Sequence, residues 1–96
     1  MTSKQRAYLR GQANTLEAIF QIGKTGLTDN LLTQLSDALE ARELIKISVL
    51  ETAPDTAKAL AIDIANSIDT EVVQVIGSKI TLFRQKKKDS RYSLPN

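Results

Sequence analysis

The chain has 96 residues, a net charge of +2, no cysteine and no histidine, which makes one domain with its own core and no disulfide. Thiolate nucleophiles, thiolate metal sites and the commonest general base are all missing, so most hydrolase and metalloenzyme constellations cannot be assembled. No window is long and apolar enough to span a bilayer, and Met1–Arg6 lacks the apolar region of a signal peptide, so the expectation is a soluble, cytoplasmic protein with no membrane partner.

Taken in chain order, Ser3 is a candidate cap for a first helix through about Leu16, with Ala7, Leu9, Ala13 and Leu16 among its apolar positions. Arg6 and Arg10 stand four apart and share a face of it, where like charges repel unless an anion or solvent separates them. Ala18-Ile19-Phe20-Gln21-Ile22 has the β-branched and aromatic character of a first strand. Gly23-Lys24-Thr25-Gly26 follows it, and Thr28 is a good N-cap for the helix beyond, with Leu27 and Leu32 placed to clasp as a hydrophobic staple.

Two glycines around Lys24 and Thr25 let the backbone approach something large, and the free N–H groups opening the next helix favour an anion. A phosphate is the natural ligand. The plainer alternative is a glycine-rich turn with a solvated lysine, and Asp29 already uses part of the favourable helix-end field. A nucleotide-binding P-loop needs a further glycine five residues before Gly23, where Ala18 stands, so that reading fails.

Leu31, Leu32, Leu35, Ala38 and Leu39 mark a one-sided second helix ending near Arg42, with Asp37, Glu40 and Glu43 as a solvated outer surface. Leu44–Leu50 is a second strand in which Ile45, Ile47 and Val49 point one way and Lys46 and Ser48 the other, leaving one sheet face partly open. Pro54-Asp55 breaks the chain and caps a third helix whose stripe runs Ala57, Leu60, Ala61, Ile64, Ala65 and Ile68. Glu71–Ile76 and Lys79–Arg84 are strands joined by Gly77-Ser78, which suits a II′ hairpin.

The expected fold is therefore α+β: an N-terminal helix, then β-α-β-α-β-β. It forms a four-stranded mixed sheet with the crossover helices packed on one face. The tail from Gln85 to Asn96 has no apolar periodicity and is expected to be basic and mobile at its end.

Charge is segregated along the chain: residues 1–26 carry +3, residues 27–78 carry −6 and residues 79–96 carry +5. Basic ends around an acidic middle suit a surface that meets a polyanion. Candidate contacts are Lys4, Arg6, Arg10, Gly23, Lys24, Thr25, Gly26, Arg84, Lys86, Lys87 and Lys88. With few aromatic platforms (Tyr8, Phe20, Phe83, Tyr92), such a surface reads backbone and shape more than base identity.

Lys4-Gln5-Arg6 with Leu9-Arg10, Gln21–Thr28, Glu43-Leu44-Ile45-Lys46, and Val73–Gly77 with Leu82-Phe83-Arg84 together resemble the bacterial single-domain CRM proteins, the YhbY-type family. The resemblance implies an RNA-binding module without catalytic activity, cofactor or small-molecule substrate. It further implies association with precursors of the large ribosomal subunit and a fold similar to the C-terminal domain of translation initiation factor three; related domains occur in plant organelle splicing factors. The family's GxxG loop corresponds to Gly23, Lys24, Thr25 and Gly26, and its basic N-terminal motif to Lys4, Arg6 and Arg10. Two positions depart from the family's habit: Asn14 where histidine is frequent, and Ala18 where proline is. Two other classes stand beside this reading. One is a protein-interaction module using the acidic middle; the other, a small enzyme, lacks any nucleophile-base pair.

Overall fold

The computed structural model describes all of Met1–Asn96. Its elements are α1 (Ser3–Ala13), β1 (Phe20–Ile22), α2 (Asp29–Arg42), β2 (Leu44–Val49), α3 (Ala57–Ser67), β3 (Glu71–Ile76) and β4 (Lys79–Phe83). The sheet order is β1-β2-β4-β3, with β1 parallel to β2 and β4 antiparallel to both neighbours. The expected architecture is present.

Alternation along the strands divides the core. Ile22, Ile45, Ile47, Val49, Ile80 and Leu82 face α2 and α3, where Leu35, Leu39, Leu60, Ala61 and Ile64 close over them. Leu44, Val73 and Phe83 face the other way, against Leu9 and Ala13 of α1. The two crossover helices thus share a face, and α1 forms a third layer on the opposite one. A bulge between Val72 and Gln74 lets β3 serve both, since Val72 joins the first cluster and Val73 the second.

Three caps decide where helices start, and two differ from expectation. Thr2, not Ser3, caps α1: its hydroxyl accepts from Gln5 N and the Gln5 side chain accepts from Thr2 N. That reciprocal box needs a Gln or Glu three residues on, which Thr2 has and Ser3 lacks. Thr28 caps α2 as expected, accepting from Leu31 N. Thr56 caps α3 by accepting from Ala59 N, while Pro54 lies against Gly26 and Asp55 only accepts from Thr56 N. The first helix also stops at Ala13, short of Leu16, where Lys46 Nζ donates to the Ala13 carbonyl. Gly77 has a φ of +55° and Ser78 is not in the positive region, as a II′ hairpin requires.

One further expectation is corrected at the far end of the sheet. Glu43, read as part of a solvated helix surface, is fully buried. It leaves α2 with a φ of +67°, which turns its side chain inward from the last helical turn. Its carboxylate accepts from Lys86 N at 3.1 Å, Ser90 Oγ at 2.5 Å and Arg91 N at 2.8 Å. Much of the tail packs on the domain despite its lack of apolar periodicity: Tyr92 and Leu94 lie on the α1 cluster, with Tyr92 edge-on to Phe83 at 5.7 Å. Burial pushes the Glu43 carboxyl up, but the Ser90 hydroxyl, the Arg91 and Lys86 amides and the Lys86 charge outweigh it and hold the group below its ordinary value.

Candidate nucleic-acid interface

Gly23–Gly26 is a closed turn in which Gly26 N donates to Gly23 O at 2.9 Å. Gly26 is buried against Pro54 with a φ of +65°, while Lys24 and Thr25 stand exposed at the tip. The neighbouring loop is fixed to the same strand end, since Leu50 N donates to Ile22 O at 2.9 Å. The β3–β4 hairpin meets it there too, with Val49 N donating to Ser78 O at 2.7 Å. Three connections thus converge on one end of the sheet.

The flank of α1 that carries its arginines is turned toward this end. At about 100° per residue, Leu9 and Ala13 point down to the sheet, Gln5 and Tyr8 fall on one flank, and Arg6 and Arg10 on the other. Tyr8 packs on the same buried cluster as Tyr92 and Leu94, and Gln5 lines a hollow with Phe83, Arg84 and Gln85 beyond the end of β4. The opposite flank therefore lies on the side of the sheet end that carries the glycine turn, with the Gln21–Ser48–Lys79 row between them. Arg10 is exposed there, whereas Arg6 is half-buried and donates to the carbonyls of Val72 and Val73 on the bulged edge of β3. Lys4 is exposed on the first turn of α1.

The C-terminal candidates lie elsewhere. Arg84 is a structural tie: it donates to Asp69 O at 2.6 Å, to Ser36 O at 3.1 Å and to Ser36 Oγ at 3.0 Å, and pairs with Glu40 at 3.4 Å. Only 14% of its side chain is exposed and its donors are taken up within the fold, so Arg84 offers little to an RNA. Lys86, Lys87 and Lys88 line a hollow with Glu40 and Asp69 at the end of the sheet away from the glycine turn. No group of His, Cys, Asp or Glu is arranged to hold a metal ion, and no helix is long and apolar enough to cross a membrane.

A family model described as the CRS1 / YhbY (CRM) domain matches residues 1–84. The chain belongs to the CRM family. A CRM relative from Bacillus subtilis, named probable RNA-binding protein YqeI, is 40% identical over 95 residues, covering 99% of each chain. An RNA-binding protein of Haemophilus influenzae is 30% identical over 95 residues, covering 99% of this chain and 95% of its own. The solution structure of SAV1595 from Staphylococcus aureus superposes with a TM-score of 0.83 at 44% identity, covering 99% of both chains. The chain is thus matched over 99% of its length by a relative and by a solved structure, and over residues 1–84 by the family model.

Proposed function

We propose that this CRM protein binds RNA without altering it chemically, and that its RNA is that of large-subunit ribosomal precursors during assembly. The names of the relatives support RNA as the partner. The observation that carries the mode of binding is the Gly23–Gly26 turn, closed by the Gly26 N to Gly23 O bond and packed on Pro54 while Lys24 and Thr25 face solvent, with Arg10 exposed on α1. A sugar-phosphate backbone laid there meets Lys24 and Arg10 as charges and Gly23 as a place without a side chain. Lys4, exposed on the outer face of the first turn of α1, and Lys86–Lys88 offer further, separate contacts.

Crosslinking in cells followed by sequencing of the attached RNA tests the partner: large-subunit ribosomal RNA should be enriched over messenger and transfer RNA, and equal recovery of all three refutes the assembly role. In vitro, Lys24→Ala should weaken binding to different RNAs alike and flatten the salt dependence by about one unit of slope, with the fold intact by circular dichroism.

A further inference from the structure

On the α1 side of the sheet, one cross-strand row is left uncovered by the helix. Gln21 of β1 lies opposite Ser48 of β2, Ser48 lies opposite Lys79 of β4, and Lys79 lies opposite Ile76 of β3. The next row on that face, Lys46 and Thr81, is already closed off: Lys46 Nζ donates to the end of α1 and Thr81 is buried. Gln21, Lys79 and Ile76 are exposed, and Ser48 is buried beneath the lysine, with Lys79 Nζ donating to Ser48 Oγ at 2.9 Å. This row begins two residues before Gly23 and ends at the Gly77-Ser78 hairpin, so it forms a shelf between the glycine turn and the Arg10 flank of α1.

We propose that this shelf is part of the RNA contact and that Lys79 is a phosphate-binding residue on it, joining Lys24 on the turn to Arg10 on the helix. The inference rests on the RNA-binding reading and extends it. A strand of RNA touching both the turn and α1 must cross the row, and Lys79 is its one cation. The Ser48 hydroxyl accepts one of the three protons of the Lys79 ammonium and holds Nζ on the sheet surface with two donors left for an anion, so less rotamer freedom is lost when one docks. Gln21 adds an amide that can donate to a phosphate or accept from a ribose hydroxyl.

The probe is a fluorescein-labelled RNA stem-loop titrated at several salt concentrations. Releasing one counterion contributes a factor of roughly five to ten at 0.1 M salt, so Lys79→Ala should weaken binding by about that much and flatten the slope by about one unit. Lys79→Arg should restore both. Ser48→Ala removes the supporting hydrogen bond and keeps the charge, so it should change affinity by no more than about twofold. If Lys79→Ala binds like the unaltered protein while Lys24→Ala is weakened, the shelf is not contacted and RNA binding by the turn still stands. If Ser48→Ala is as damaging as Lys79→Ala, the lysine acts only as a structural prop and the proposal is overturned. If the unaltered protein leaves the stem-loop unbound, the RNA-binding reading itself fails.

Discussion

A methyl group placed on Gly26 would lie 2.9 Å from Pro54 Cγ, on a residue whose φ is already +65°. One placed on Gly23 would meet only Leu50 Cδ1 at 3.5 Å and Thr52 Oγ1 at 3.7 Å, ordinary van der Waals contacts. The fold therefore requires glycine at the second position of the pair and tolerates alanine at the first. Gly26→Ala should lower stability by about 1–3 kcal/mol through strain and the clash with proline. Gly23→Ala should leave stability unchanged or raise it by up to about 1 kcal/mol, because alanine restricts the unfolded chain. Its effect belongs to binding: if an RNA backbone passes close to Gly23, the added methyl weakens affinity in a protein that melts normally. Thermal melts and RNA titrations of both variants decide this, and full affinity in Gly23→Ala removes the close-approach role. Both glycines were legible in the sequence. Their division of labour was not, because the proline that distinguishes them arrives from the loop after β2.

At the level of elements, local signals located helices and strands, and the errors came from partners distant in the chain. Thr28 was readable as a cap because its acceptor role is local, and the Thr2 box was readable in principle from Gln5. Glu43 was not. Helical spacing put it beside exposed Glu40, and only the positive φ at the end of α2 and the return of the tail turn it into a buried clamp. The consequence for stability follows from its lowered pKa. The unfolded carboxyl titrates near the ordinary 4.5 and the folded one below it, so the clamp contributes fully above that value and its contribution is lost as pH falls through the folded pKa. Melts from about pH 7 down to about pH 3 should show the unaltered protein losing stability more steeply than Glu43→Gln, which has no charge to lose. At neutral pH Glu43→Gln should be less stable, by on the order of 1–3 kcal/mol, with Tyr92 less well packed against Phe83 by NMR. Parallel pH profiles for the two proteins would show that the clamp's charge carries no weight.

Across the whole molecule, the segregated charge of the sequence suggested that both basic ends of the chain meet one surface. The direction of β4 separates them. That strand begins at the hairpin beside the glycine turn and runs antiparallel to β2, so it delivers Arg84 and Lys86–Lys88 to the other end of the sheet. Strands of this length span roughly 20 Å, and the molecule measures 38 × 24 × 22 Å, so the two basic regions are a strand length apart. An RNA oligomer of a few nucleotides reaches only one of them, whereas a long structured RNA can wrap both. Replacing Lys86, Lys87 and Lys88 together with glutamine should therefore leave affinity for a short oligomer unchanged within about twofold and weaken a long RNA, with a salt slope flatter by about two to three units. If the turn is the shared contact, Lys24→Ala should weaken both ligands. Titrating the two variants against the two RNAs separates one continuous basic track from two independent contacts: equal loss of the short oligomer in the triple variant means that the tail reaches the turn in solution. That outcome would require the strap held by Glu43 to open, so the same titration repeated with Glu43→Gln, in which the strap is weakened, identifies the route by which the tail arrives.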